Sequence, residues 1–238
     1  MSVVDVAMVG RLGTEALAAT GMGSMMFWGA LSLAIGIRTA VQTVTARRFG
    51  QGLLKESGIA LRNGLALATL YSLPVSFFVW KYSDSLARFF IEDPSATPLT
   101  TDYVSIVFIG LLFSSYSFVF QGFFTGIEKT KIHMKVTVVS NVLNVYLNAG
   151  LIYGSSGVQE FFNEQLSILS FLSYLWKWAN FPALGVKGAA IGTLISSFWM
   201  TAHYAVSLLS KQTSKRYSVL RFSFDREMMK RQVQLALP

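Results

Sequence analysis

The stretch Ala16–Val44, ALAATGMGSMMFWGALSLAIGIRTAVQTV, decides the fold, because it carries a single charged side chain, Arg38. A helix rises about 1.5 Å per residue and needs roughly 20 mostly apolar residues to cross the hydrocarbon core of a bilayer. This stretch is longer than that. Four more blocks of the same kind follow, at Gly58–Trp80, Tyr103–Phe124, Val136–Tyr153 and Val186–Leu209. The expectation is an all-α, polytopic transmembrane helix bundle.

Composition points the same way. Of 238 residues, 53% are hydrophobic and 13% charged, about half the charge density of a soluble domain, which runs near 25%. The apolar excess must face lipid. A net charge of +8 would point to nucleic acid in a soluble chain, but here the basic residues lie between the apolar blocks, and no nucleic-acid partner is expected. The chain has no cysteine, which excludes a disulfide scaffold, a thiolate metal site and a cysteine nucleophile. It has no GxxxxGK[ST], HExxH or GxSxG motif, and His133 and His203 stand isolated in the sequence. No enzyme, resident cofactor or metal site is expected; transport or passive conduction remains.

Orientation follows from the basic residues. Arg47, Arg48 and Lys55, then Lys129, Lys131 and Lys135, then Lys211, Lys215, Arg216, Arg221, Arg226, Lys230 and Arg231 fall on one side of the alternating blocks. Arg11, Lys81, Arg88, Lys177 and Lys187 fall on the other. The positive-inside bias places the first set in the cytoplasm, and Arg38 and Arg62 read as snorkelling toward it. MSVVDVAMVG at the start is half a span, and QLALP at the end reads as the first turn of another, so the chain is expected to be a piece of something longer. Val158–Asn180, VQEFFNEQLSILSFLSYLWKWAN, is long enough to cross, but a crossing there would put the basic loop after Ser210 outside. Its polar stripe of Asn163, Ser167, Ser170, Tyr174 and Lys177 predicts a helix lying on the membrane surface, with Trp176 and Trp178 at headgroup depth.

Polar groups inside the blocks are the candidate functional residues. Asp5 is the acidic residue embedded in apolar sequence, and an intramembrane carboxylate commonly marks an ion or proton pathway; at an exposed helix end it would mean nothing. Asn144 and Asn148 share a helix face at i and i+4, with Asn141 one turn earlier. They serve interhelical hydrogen bonds or a cation or substrate site equally well, as do Gln42 and Gln121. Gly188, Gly192 and Ser196, and Gly122 and Gly126, have the four-residue spacing that lets helices approach closely. Pro74 predicts a kink.

VDVAMVGRLGTEALAATGMG from Val4, AVQTVTARRFGQG from Ala40, FQGFFTGIEKTK from Phe120, SNVLNVYLNAGLIYG from Ser140 and LGVKGAAIGTLIS from Leu184 together resemble the multidrug and toxic compound extrusion transporters, nearest the bacterial group that includes DNA-damage-inducible protein F. The resemblance implies a twelve-helix protein of two six-helix lobes around a cavity, in the bacterial cytoplasmic (inner) membrane. This chain resembles the amino-terminal lobe over residues 1–227, cut within the first helix, with 228–238 as the start of the seventh and the second lobe absent. It implies an antiporter, driven by protons or sodium, that exports amphipathic and often cationic organic compounds. Asp5 matches the first-helix carboxylate of the family's cation site, Asn144 a polar fifth-helix residue and Thr193 a sixth-helix hydroxyl. Asn148 stands where some members have aspartate, which leaves Asp5 as the lobe's single carboxylate and favours protons. Gln42, Tyr103 and Gln121 are the matching candidates for the substrate cavity. A lipid-linked precursor flippase of related architecture, and a truncated membrane module that transports nothing, are the rival readings.

Overall fold

The computed structural model describes residues 3–165, 171, 173–219 and 224–236. Among them every regular element is a helix: α1 (Val3–Gly10), α2 (Thr14–Gly50), α3 (Leu54–Lys81), α4 (Ser83–Phe90), α5 (Ala96–Ile109), α6 (Leu111–Gly126), α7 (Thr130–Gln165), α8 (Tyr174–Lys177), α9 (Gly185–Leu209), α10 (Lys211–Tyr217) and α11 (Arg226–Ala236). Charges at the helix ends match the peptide dipole. Glu15 opens α2 and Arg47 and Arg48 close it; Glu56 opens α3 and Lys81 closes it. Gly52, at φ 75°, makes the left-handed turn between α2 and α3.

α2, α3 and the Thr130–Asn163 part of α7 are long and apolar enough to cross a bilayer, and the pair α5 and α6, broken at Gly110, makes a fourth candidate. Only 28–39% of the apolar stretch of each of the three is buried, and Leu70 and Phe77 on α3 are among its exposed side chains. Apolar surface left outside on that scale belongs against lipid rather than water. α9 departs from expectation. Its 25 residues are long enough, but it falls outside the apolar set because it carries Thr193, Ser196, Ser197 and Thr201, all of them buried. A helix that turns a polar face into protein need not be apolar all round.

The described helices sort into two compact units. The first comprises residues up to Phe27, Phe78–Ile109 and Asn141–Ser196; the second comprises Trp28–Phe77, Gly110–Ser140 and the residues from Ser197 onward. The two sets of basic residues follow this division. Arg11, Lys81, Arg88, Lys177 and Lys187 all lie in the first unit, and every described member of the larger set lies in the second.

In the second unit the core is aromatic. Phe120, Phe123, Phe124, Tyr204 and Tyr217 cluster with Ile37, Val41 and Leu61, and Phe124 stacks on Tyr204 with ring centroids 5.9 Å apart. The small-residue face of α6 works as its spacing implies. A Cβ on Gly122 would lie 2.5 Å from the Arg38 carbonyl oxygen, and one on Gly126 would lie 2.9 Å from that of Gln42, so α6 meets α2 backbone to backbone. Hydroxyls tie α6 to α9: Ser117 and Thr201 are 2.9 Å apart, and Thr201 also donates to the Phe113 carbonyl at 2.6 Å. α11 is held by the buried Gln232, whose amide donates to the Ala60 carbonyl at 2.9 Å. α3 runs through Pro74 as one helix.

In the first unit Phe27 meets Phe108 edge to face at 5.5 Å, and α4 is a short surface helix with an Asp84–Arg88 ion pair at 2.9 Å. Asp93 caps the turn into α5, its carboxylate accepting from the Ser95 main-chain N–H at 2.9 Å and hydroxyl at 2.7 Å. Those bonds hold its pKa below the ordinary value of 3.8. α7 is kinked at Gly154, where φ 74° and ψ 166° leave the helical region. The surface helix expected over 158–180 is corrected in its described part. Helix continues from α7 to Gln165, and α8 is a single turn; Ser167, Ser170, Leu166, Leu169 and Leu172 lie outside the described residues. Trp176 is not a headgroup anchor. It is 9% exposed, packed with Ala149 and Val158 against Phe162 and Phe181, and its indole N–H donates to the Tyr146 carbonyl at 2.8 Å. A buried indole needs such a partner. Trp178, two residues on, is 80% exposed.

Candidate functional site

The four residues expected to bind a cation all fall in the first unit, on three helices: Asp5 on α1, Asn144 and Asn148 on α7, and Thr193 on α9. Asn148 is fully buried, and Asn144 and Thr193 are nearly so. The Asn148 amide donates to the Asn144 side-chain oxygen at 3.5 Å, a weak bond at the edge of the hydrogen-bonding range. Asn144 Nδ2 has no hydrogen-bond partner among the described residues. A buried amide left without a partner costs about 1–3 kcal/mol.

Close packing of α7 on α9 creates this arrangement. A Cβ on Gly192 would lie 2.1 Å from Asn148 Oδ1, and one on Gly188 would lie 2.1 Å from the Leu151 carbonyl oxygen. Both glycines therefore mark the contact their spacing implies. Ser196, the third member of that face, turns its hydroxyl back to the Gly192 carbonyl at 2.7 Å. Thr193 follows Gly192 directly on α9.

Residues 173–184 fasten one end of this contact. The Ser155 hydroxyl donates to the Trp176 carbonyl and accepts from the Phe181 N–H, each at 2.7 Å. The Leu184 N–H reaches the Leu151 carbonyl at 2.8 Å, and the Tyr146 hydroxyl reaches that of Leu175 at 2.7 Å. The Gly154 kink brings the chain against Ala183.

α1 docks on the same helix. The Tyr153 hydroxyl donates to the Met8 carbonyl, and Ala7, Met8 and Arg11 line a cavity of about 280 Å³ with Ala149, Tyr153 and Trp176. Asp5 lies on α1 one helical turn before Met8 and Val9; its side chain lies outside the described residues. The described donors of the site are neutral amide and hydroxyl groups. Oxygens of that kind are hard ligands.

The three expected cavity residues separate. Tyr103 is in the first unit, buried, its hydroxyl 3.2 Å from that of Ser24. Gln42 and Gln121 are in the second. The Gln42 carbonyl packs at Gly126, and the Gln121 amide nitrogen lies 2.6 Å from His133 Nε2. His133 is accordingly not isolated, as the sequence reads it. Its Nδ1 lies 2.5 Å from the Tyr204 hydroxyl and 3.2 Å from that of Thr137. Nothing in the sequence links these groups, since Tyr204 is 71 residues away.

The comparisons agree with this architecture. The chain is similar to the probable multidrug resistance protein NorM of Rhodopseudomonas palustris, 24% identical over all of this chain and 46% of that protein. It is also similar to the NorM of Photorhabdus laumondii, 32% identical over 91% of this chain and 43% of that protein. It spans about half the length of the curated relatives it matches. Among solved structures, an inward-facing multidrug resistance MATE family transporter of the MOP superfamily superposes with a TM-score of 0.80 at 24% identity, over 99% of this chain and 48% of that one. An outward-facing structure of the same description gives 0.80 over 98% and 46%. The MatE family model matches residues 1–149, and with the larger part of its 238 residues inside that match, this membrane-spanning chain belongs to the multidrug and toxic compound extrusion family.

Proposed function

We propose that this chain is the amino-terminal lobe of a cation-coupled antiporter that exports amphipathic organic compounds across the bacterial cytoplasmic membrane, working with a second lobe. The observation that carries this reading is the buried Asn144–Asn148 pair, set against Gly192, the neighbour of Thr193 on α9, in the unit that also holds Asp5. Amide and hydroxyl oxygens, working with a carboxylate, can lower the cost of a cation in a medium where an unpartnered charge is expensive. The names of relatives, probable multidrug resistance proteins, support drug-like organic compounds as the substrate class. With asparagine at 148, Asp5 is the single carboxylate of the proposed site, which favours the proton over sodium as coupling ion. The unit rich in basic residues faces the cytoplasm.

Coupling then works by competition. Loading of Asp5 changes how α1 packs on α7, and drug and cation are released in opposite states. A ligand drives such a change only through different affinities for the two states. In the full-length parent, Asp5→Asn abolishes dye export from proteoliposomes under an imposed proton or sodium gradient, and Asn148→Leu weakens it. Undiminished gradient-driven export by Asp5→Asn overturns the assignment.

A further inference from the structure

The second unit holds a cavity that the proposed cation site does not use, between α2 and α11. A Cβ on Gly36 would lie 2.3 Å from the Ala236 carbonyl oxygen, so the two helices meet backbone to backbone there. α11 is fastened on another face to α3, where Gln232 bonds to Ala60 and the Asn63 amide donates to the Asp225 carbonyl at 2.9 Å. On the cytoplasmic side of the Gly36 contact, α2 and α11 leave a space of about 210 Å³. Val44, Arg47 and Arg48 line it from α2, and Arg231 and Leu235 from α11.

Two carboxylates, Asp225 and Glu227, also border the cavity, and both are engaged. Asp225 accepts from the Met228 main-chain N–H at 3.1 Å, capping α11, and Glu227 pairs with Lys230 at 3.2 Å. Arg48 pairs with Glu56 at 3.1 Å. Arg47 and Arg231 are exposed and belong to none of the ion pairs among the described residues. Two guanidinium groups on one small cavity are like charges, and an anion between them relieves the repulsion. The planar guanidinium fork matches phosphate oxygens two at a time.

Charge and hydropathy run the same way on both helices. On α2, Val44 lies one turn before Arg48, on the side away from the cytoplasm; on α11, Leu235 lies one turn after Arg231, on the same side. Leu235 is 49% exposed, so the apolar end of the cavity is open. A soluble anion would use only the basic half of this lining. A ligand with an anionic head toward water and apolar chains toward the hydrocarbon core uses all of it.

We propose that this cavity binds an anionic phospholipid of the cytoplasmic leaflet, with Arg47 and Arg231 holding the phosphate and Val44 and Leu235 against the first methylenes of its acyl chains. Basic pockets between helices at the cytoplasmic face are suited to such headgroups. The site does not rest on the antiporter reading.

Native mass spectrometry of the full-length parent in detergent tests it, with phosphatidylglycerol and phosphatidylethanolamine of identical acyl chains as probes. Phosphatidylglycerol binds about tenfold more tightly, and Arg47→Gln combined with Arg231→Gln removes that preference. Lys55→Gln combined with Lys215→Gln takes two charges from the same face outside the cavity and leaves the preference intact. Equal binding of the two lipids, or equal loss in the two double variants, overturns the proposal. Displacement of phosphatidylglycerol by millimolar inorganic phosphate also overturns it, because the cavity would then be a site for soluble anions. A second readout keeps both arginines. This chain has no cysteine, so in a parent cleared of any other cysteine Leu235→Cys supplies a single thiol. Phosphatidylglycerol slows its reaction with a maleimide dye and phosphatidylethanolamine does not. A thiol that is unreactive before lipid is added shows that the second lobe covers the cavity, and that result overturns the proposal.

Discussion

Asn148 and Gly192 share one space: the side-chain oxygen of the first lies 2.1 Å from where a Cβ on the second would be. The amide pair of α7 therefore depends on a residue of α9 that has no side chain, and the same helix face carries a harder constraint one turn earlier. At Gly188 the obstacle is the main-chain oxygen of Leu151, also at 2.1 Å.

The two glycines should fail differently. Alanine gains about 1 kcal/mol of helix propensity over glycine, while forcing a group into a packed interface costs about 1–3 kcal/mol. Gly188→Ala meets backbone that cannot swing aside and lowers the detergent melting temperature more than Gly192→Ala. Gly192→Ala displaces the Asn148 amide and loses more gradient-driven export than its stability loss explains. Gly21→Ala, with nothing within 4 Å of its added Cβ, leaves both readouts unchanged or improved. Equal losses at 188 and 21 would contradict this account of the packing.

The two neighbouring tryptophans give a second contrast. Trp176→Ala empties a buried site and costs about 3–5 kcal/mol, and Trp176→Phe loses chiefly the bond to the Tyr146 carbonyl, about 0.5–1.5 kcal/mol. Trp178→Ala, at an exposed position, changes stability little. Thermal unfolding followed by tryptophan emission separates the three variants, and a Trp178 variant as damaging as Trp176→Ala would refute the placement.

A third prediction concerns pH at the start of α5. The Asp93 pKa is lowered by bonds from Ser95, so the stability this carboxylate contributes is present above its unfolded pKa and is lost as pH falls through the lower folded value. Asp93→Ala is therefore less stable than the parent at pH 7. The gap narrows below the ordinary pKa of 3.8 and closes once the native carboxylate is protonated. Melting curves of both proteins from pH 7 to 3 check this; a gap independent of pH would mean the hydrogen bonds from Ser95 confer no charge-dependent stability.

A fourth follows from the α6–α9 hydroxyl ladder. Thr201→Val removes the donor to the Phe113 carbonyl and the contact with Ser117 at nearly constant volume. In a membrane bundle such interhelical bonds contribute about 0.6–1.7 kcal/mol. Ser117→Ala alone has a smaller effect because Thr201 retains Phe113. A double variant whose loss equals the sum of the two singles would show that the hydroxyls act independently.

What the sequence alone determined is whatever repeats within a few residues along one helix. Apolar blocks marked the long spans, since crossing lipid is a requirement of length and hydropathy. The alternation of basic residues marked the same division that the two packed units show. Glycines four apart marked the α7–α9 and α2–α6 contacts, because one bare face is a local pattern. Tertiary structure alone decided the rest. It placed Trp176 inside and Trp178 outside, although the two are separated by one residue and alike in chemistry. It broke Tyr103–Phe124 at Gly110, allowed α9 to be polar by burying its hydroxyls, and gathered Gln121, His133 and Tyr204 from three helices. Such contacts depend on which faces of distant segments meet, and that is fixed by packing complementarity, which no periodicity within a single helix records.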